Sequence, residues 1–122
     1  PLFRALIDCP VSDDKISQVM FTFTPLEGTM PAGNKQVFSN SLEQSATGAQ
    51  NVGVTIFSAQ DNGSRFNVLD ANGVPQAAYS LPSGDYSNSL WNFYARMQKI
   101  LSTDSVSSGL VRSAVLVNIY YQ

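Results

Sequence analysis

The sequence predicts an all-β protein that folds as a β-sandwich in one domain. Short runs of apolar residues alternate with polar residues, which is the pattern of strands that bury one face. Glycine, proline and asparagine separate these runs at short intervals, as turns do in sandwiches. No segment repeats its apolar residues with the period of a helix. The 122 residues are enough for a single hydrophobic core.

The individual strands follow from the apolar runs between turn signals. Residues 51–59 alternate clearly, with Val52, Val54 and Ile56 on one face. A long polar stretch over residues 25–50 contains only short β-like patches, and residues 71–73 (ANG) predict a hairpin turn. Within a single domain of residues 1–122, strands are predicted at residues 2–8, 17–24, 51–59, 66–69, 77–81, 90–97 and 111–121.

The composition excludes several classes of function. Charged residues make up only 13% of the chain and the formal net charge is −2. Nucleic-acid partners require clustered lysine and arginine to neutralise phosphates, and the sequence has no such cluster. No apolar stretch approaches the ~20 residues that a membrane-spanning helix needs.

Residues suited to catalysis or metal binding are scarce. The chain has no histidine, which is the commonest general base and metal ligand. Its single cysteine, Cys9, excludes a cysteine-based zinc cluster within the chain. The pair Asp13-Asp14 and the segment 61–63 (DNG) are interpreted as solvated turns rather than cation sites. Aromatic side chains at strand spacing favour core or interface positions over a sugar site. The sequence therefore predicts no enzyme activity, no cofactor and no metal.

The last predicted strand, residues 111–121, has the most regular alternation in the chain. Side chains alternate across a strand, so every second residue is predicted to lie on one buried face. At an open sheet edge such a strand would invite pairing with another chain, and it has no proline or lysine to prevent this. A central strand of a complete sandwich is the alternative. The residues of the predicted buried face are Val111, Ser113, Val115, Val117, Ile119 and Tyr121.

Four segments, in order along the chain, together resemble the pilin subunits of chaperone–usher fimbriae. Cys9 ends an extended segment, as the second disulfide cysteine of the family does. Residues 50–56 (QNVGVTI) and 91–96 (WNFYAR) resemble the N-V-G-V-x-I strand and the penultimate strand of these pilins. The C-terminal segment has Gly109 fourteenth from the end, then alternating apolar residues and the penultimate Tyr121. The chain is similar to subunits of type 1 and P pili.

The resemblance implies an incomplete immunoglobulin-like β-sandwich that is completed by a strand from another polypeptide. The donor is first a periplasmic pilus chaperone and then the N-terminal extension of a neighbouring pilin, with assembly at an outer-membrane usher. In this family the groove for the donor corresponds to the predicted buried face of residues 111–121. The carboxylate of Gln122 would be held by basic residues of the chaperone.

The resemblance also implies features of the N-terminal region. Cys9 would pair with a cysteine outside this chain; from composition alone, a buried or free thiol is an equal alternative. The chain is expected to lack the N-terminal extension and first strands of the family. Arg4 departs from the family pattern, which has an apolar residue at this place.

The function that the resemblance implies is structural. The chain would be a subunit of an extracellular bacterial fimbrium that supports cell adhesion after transit through the periplasm. One alternative is the pilin domain of a two-domain tip adhesin, which a preceding lectin domain would identify. Another is an unrelated secreted sandwich that binds ligand through its loops, which a soluble monomer without any chaperone would indicate.

Overall fold

The regular structure of the chain consists of β-strands. The computed structural model describes residues 2–8, 17–26, 30–31, 33–59, 64–80 and 88–121, and these contain no helix. The strands are β1 (Leu2–Asp8), β2 (Gln18–Pro25), β3 (Phe38–Ser39), β4 (Val52–Ala59), β5 (Arg65–Asn67), β6 (Ala77–Ser80), β7 (Asn88–Lys99) and β8 (Val115–Tyr121).

These strands form two antiparallel sheets. The larger sheet has the order β1-β7-β4-β3, and β5 pairs with β4. The smaller sheet has the order β6-β2-β8. Two antiparallel sheets that enclose one core are consistent with an immunoglobulin-like β-sandwich. The all-β prediction is confirmed.

The core lies between the sheets and is centred on aromatic rings. Phe93 of β7 is fully buried, and its ring centroid lies 5.0 Å from that of Phe21 and 5.4 Å from that of Phe23, both in β2. Edge-to-face pairs at these distances join one sheet to the other. The buried core cluster consists of Val19, Phe21, Phe23, Phe38, Ile56, Val68, Leu69, Ala77 and Phe93.

Strand β1 joins this core with the side chains of Phe3 and Ala5. Phe3 pairs with Phe93 and Ala5 with Trp91, and both β1 side chains pack against the core cluster. The Phe3 and Phe93 rings are stacked with centroids 5.3 Å apart. Arg4 therefore lies on the opposite face, where it is exposed. The departure at Arg4 from the pilin pattern places no charge in the core.

The predicted turn at residues 71–73 is confirmed. Gly73 has a φ of 80°, which L side chains rarely adopt. The Asp70 carboxylate accepts hydrogen bonds from the backbone N–H groups of Asn72 and Val74, at 2.8 and 2.9 Å. This Asx-type arrangement closes the turn locally. The other predicted turn, at residues 61–63, lies outside the described residues, as does the pair Asp13-Asp14.

Most predicted strands are confirmed with bounds that shift by one or two residues, but β5 and β8 are shorter than predicted. β5 ends at Asn67, because Leu69 turns away from β4 and forms an isolated bridge with Pro75. Within the polar stretch 25–50, the described part contributes only Pro25 at the end of β2 and the two residues of β3.

Phe93 provides a test of the aromatic core. Phe93→Ala is expected to lower the free energy of unfolding by about 3–5 kcal/mol, because it leaves a cavity among the rings of Phe3, Phe21 and Phe23. Urea unfolding followed by tryptophan fluorescence measures the change. Asn92→Ala on the exposed face of the same strand is the matched control, with an expected effect within about 0.5 kcal/mol. Equal losses in the two variants would contradict this assignment of the core.

Candidate functional site

Strand β8 lies at the edge of the smaller sheet. It pairs with β2 from Val115↔Pro25 to Val19↔Tyr121, while β6 occupies the other side of β2. On its second side, β8 has no strand partner among the residues that the structure describes. An edge of this kind offers free backbone N–H and C=O groups to another chain.

The register of the β2–β8 ladder shows which side chains of β8 face the core. Residues directly opposite each other in an antiparallel pair lie on the same face of the sheet. The β2 residues Val19, Phe21 and Phe23 are buried in the core, so their partners also face inwards. The inward-facing residues of β8, with their β2 partners, are Val115 (Pro25), Val117 (Phe23), Ile119 (Phe21) and Tyr121 (Val19).

Three of these inward-facing residues are exposed, whereas Val115 is half-buried and packs against the core cluster. Val117 is 36% exposed and Ile119 37% exposed, whereas Phe23, the partner of Val117, is only 4% exposed. The two residues of a cross-strand pair lie side by side on the same face of the sheet. The greater exposure of Val117 therefore comes from the open lateral edge of β8 and not from the space between the two sheets. The prediction that this face is buried is therefore wrong for Val117 and Ile119, because no described strand lies beside β8 on that side. An apolar row that faces the core but remains solvent-exposed is a candidate binding surface.

The backbone groups of β8 also point towards its open edge at alternate residues. The hydrogen bonds of the residues just before the strand show which residues these are. The carbonyls of Leu110, Arg112 and Ala114 accept hydrogen bonds from the N–H groups of Ala49, Ser41 and Leu26, at 2.9, 2.8 and 2.8 Å. Backbone groups alternate between the two sides of a strand, so even-numbered residues of β8 bond to β2. The N–H and C=O groups of the odd-numbered residues then point to the open edge. Each odd-numbered residue thus presents its side chain to the core and its backbone to an incoming strand.

The first part of the predicted strand has a different environment. β8 begins at Val115 and not at Val111, so Val111 and Ser113 are not part of the β2–β8 ladder. The inner neighbours of residues 110–113 are turns within the segment 40–49, which offer isolated hydrogen bonds in place of a continuous strand. The even-numbered residues from Leu110 to Ala114 nevertheless all bond to the inner side, as the even-numbered residues of β8 do. The backbone groups of this segment therefore alternate in the same order as those of β8.

A separate open region lies between residues 106–111 and the larger sheet. A cavity of about 410 Å³ lies beside Val111 and is also lined by Val52, Met97 and Val106. Met97 is on the core-facing side of β7, since it pairs with Val54, yet it is 67% exposed. β1 pairs with β7 only as far as Tyr94, which leaves this end of β7 without a described neighbour on that side. Exposed core-facing side chains are thus found in both sheets, on β8 and at this end of β7.

Gly109 is placed where the chain crosses another segment closely. A Cβ atom at this position would lie 2.6 Å from the carbonyl oxygen of Thr47 and 2.7 Å from the backbone nitrogen of Ala49. Backbone atoms cannot move aside as a flexible side chain can. The glycine that precedes the alternating C-terminal segment is therefore required by the close approach to residues 47–49.

Two predicted site residues fall outside the described residues. These are Cys9, the predicted disulfide cysteine, and Gln122, the predicted carboxylate anchor.

The described aromatic residues outside the core cluster differ in their surroundings: Tyr79 and Trp91 pack against the cluster, whereas Tyr120 and Tyr121 are exposed at the end of β8. The described residues contain no group of three potential metal ligands. They also form no helix of the length and hydrophobicity that would cross a membrane.

Comparison with known proteins gives evidence on the kind of protein that does not depend on the structure. No family model matches the chain. Over 117 residues the chain is 44% identical to a protein of Escherichia coli (strain K12) named uncharacterized fimbrial-like protein YadK. The match covers 94% of this chain and 58% of that relative, so the chain spans less than two thirds of the relative's length. The likeness supports a fimbrial protein.

The sequence did not reveal the residues that support the start of this edge. Asn40 lies in the polar stretch 25–50, for which the sequence predicts only short β-like patches. Met97 is the last residue of the predicted strand 90–97 and has no distinctive neighbour pattern. Only contacts between residues far apart in sequence, such as those between Asn40 and Arg112, identify them.

Gly109 gives a test of this local geometry. Gly109→Ala is expected to lower the free energy of unfolding by about 1–3 kcal/mol, because the added methyl group overlaps the backbone at residues 47–49. Chemical unfolding of the two proteins side by side measures it. The control is Ser108→Ala at the exposed neighbouring position, with an expected change within about 0.5 kcal/mol. A Gly109→Ala protein as stable as its control would show that the crossing is looser than described.

Proposed function

We propose that the chain is a structural subunit of a bacterial fimbria that is completed by a β-strand from another polypeptide. The observation that carries this proposal is the row of apolar side chains on β8 that face the core but stay exposed. A complete sandwich would be expected to bury Val117 and Ile119 together with their buried cross-strand partners Phe23 and Phe21. The likeness to a fimbrial-like protein agrees with an assembly role.

The mechanism would be addition of a strand along the open edge of β8. The odd-numbered residues supply backbone N–H and C=O groups to the incoming strand, and the space over their side chains receives its apolar residues. Side chains of the donor would alternate apolar and polar, with the apolar set directed into the gap. The smaller sheet would then have the order β6-β2-β8-donor.

The free energy of such a joint can be estimated. Burial of an apolar side chain contributes about 1.5–3 kcal/mol, so four or five donor residues give a gross gain on the order of 10 kcal/mol. The ordering of a flexible donor strand offsets part of this gain. The remainder is compatible with a long-lived joint between subunits of a fibre. No covalent chemistry is required at the site.

The partners follow from this mechanism. A periplasmic pilus chaperone would supply the first strand, and the N-terminal extension of a neighbouring subunit would replace it at the outer-membrane usher. The carboxylate of Gln122 would be held by basic residues of the chaperone, and Cys9 would form a disulfide with a cysteine outside this chain. The final location would be an extracellular fimbrium that supports adhesion.

A charge on the inward face of β8 tests the proposal. Val117→Asp is expected to reduce co-purification with a pilus chaperone by at least about tenfold, because the carboxylate would be buried without a partner when the donor strand binds. The amount of chaperone recovered per subunit from the periplasm is the measured quantity.

The neighbouring residue provides the matched control. Leu116 belongs to the same strand and is 45% exposed, but its partner in the ladder is Thr24, so it lies on the outer face. Leu116→Asp is expected to leave chaperone recovery within about twofold of the original protein. Equal recovery of chaperone with both variants would mean that the inward face of β8 does not receive the donor.

A further inference from the structure

Asn40 is a buried amide whose hydrogen-bonding groups are all in use. It is 4% exposed. Its Nδ2 donates to the carbonyl oxygens of Ala49 at 3.0 Å and Leu110 at 2.9 Å. Its Oδ1 accepts from the backbone N–H groups of Leu42 at 3.0 Å and Arg112 at 2.9 Å. Two donated and two accepted bonds are the full capacity of an asparagine side chain.

These bonds join two parts of the chain that are distant in sequence. Two of them hold the segment 40–49 in its turn, and the other two reach Leu110 and Arg112, just before β8. The backbone bonds from Ser41 N–H to the Arg112 carbonyl and from Ala49 N–H to the Leu110 carbonyl reinforce the same junction. Asn40 therefore replaces β2 as the inner neighbour of residues 110–112.

The junction fixes the direction of the backbone before β8 begins. Leu110 and Arg112 direct their N–H and C=O groups inwards, to Thr47, Ala49, Asn40 and Ser41. The backbone groups of Val111 and Ser113 consequently point to the same open side as those of the odd-numbered residues of β8. Without this junction, residues 110–113 would have no neighbour that determines which way their backbone groups point, because the pairing of β2 with β8 ends at Pro25.

We propose that Asn40 is a positioning residue that holds residues 111–113 as a preformed extension of the strand-accepting edge. This inference rests on the proposed function and deepens it: an incoming strand binds along residues 111–121 and not only along β8. The partner is an extended strand that carries apolar residues at alternate positions over this whole length. Asn40 does not touch the donor and acts through Leu110 and Arg112.

The type of side chain matters for this role. Asn40→Ala removes all four bonds. Asn40→Asp keeps the shape and the two acceptor positions but removes the N–H donors to Ala49 and Leu110. Both variants release Leu110 from the amide, and Asn40→Asp retains the bond to Arg112. The second variant thus remains informative if the first fails to fold.

Asn51 offers a control with similar chemistry at a different place. Its Nδ2 donates to the carbonyls of Leu101 and Asp104 at 2.9 and 3.0 Å, and its Oδ1 accepts from the Leu101 N–H at 2.8 Å. These bonds hold the start of the β7–β8 connection and do not contact residues 110–113. Asn51→Ala therefore removes three amide bonds away from the accepting edge, and at a φ of 59° it also adds backbone strain, so it controls for a general loss of stability.

The experiment compares two synthetic strand peptides of alternating valine and threonine. The long peptide is designed to span residues 111–121 and the short one to span residues 115–121. Each is present during refolding of the 122-residue chain, and dissociation constants are measured for the original protein, Asn40→Ala, Asn40→Asp and Asn51→Ala. The original protein is expected to bind the long peptide at least about tenfold more tightly than the short one.

The ratio between the two peptides is the readout, because a purely structural role of Asn40 would not change it. Both Asn40 variants are expected to bind the short peptide as the original protein does and to lose most of the preference for the long one. Asn51→Ala is expected to keep the preference. Retention of the full preference by the Asn40 variants, or an equal loss of both peptides, would overturn the inference. Failure of the original protein to bind either peptide would instead overturn the proposed function.

Discussion

The antiparallel pairing of β8 with β2 determines the two directions in which each β8 residue points. Side chains alternate between the faces of a sheet while backbone groups alternate between its edges, so one register sets both. Because Phe21 and Phe23 of β2 are buried, the register sends Val117 and Ile119 to the core and sends their backbone groups away from β2. A shift of one residue would place Leu116 and Asn118 on the core face and bury a polar amide. The apolar pattern of β2 and β8 is thus what keeps the edge in its accepting orientation.

The rest of the fold supports this edge from two sides. The aromatic cluster around Phe93 joins the sheets and holds β2 in place as the inner neighbour of β8. The turns in residues 40–49 do the same for residues 110–113, with Asn40 and Gly109 at the closest contacts. The open edge of β8 is therefore bordered by well-packed elements. A rigid border reduces the ordering that must accompany the binding of a partner strand.

The sequence predicts the fold class and most strands because alternation is a local property. The inward set of β8 is readable from Val115 to Tyr121 by its period alone, and the turn at Gly73 by its residue types. The exposure of that set is not readable, because it depends on which strands lie beside β8 and not on β8 itself. The end of the ladder at Val115 has the same origin: Val111 and Ser113 continue the period, but their neighbours are turns. The role of Asn40 depends on contacts about seventy residues away in sequence.

Hydrogen exchange at individual amides of β8 distinguishes an open edge from an occupied one. In the isolated chain, exchange is expected to be slow at Leu116 and Asn118, which face β2, and fast at Val117 and Ile119, which face the open edge. Addition of a donor strand should slow exchange at Val117 and Ile119 while the other two stay protected. Slow exchange at all four amides without any added strand would show that the edge is already occupied, and it would contradict the account.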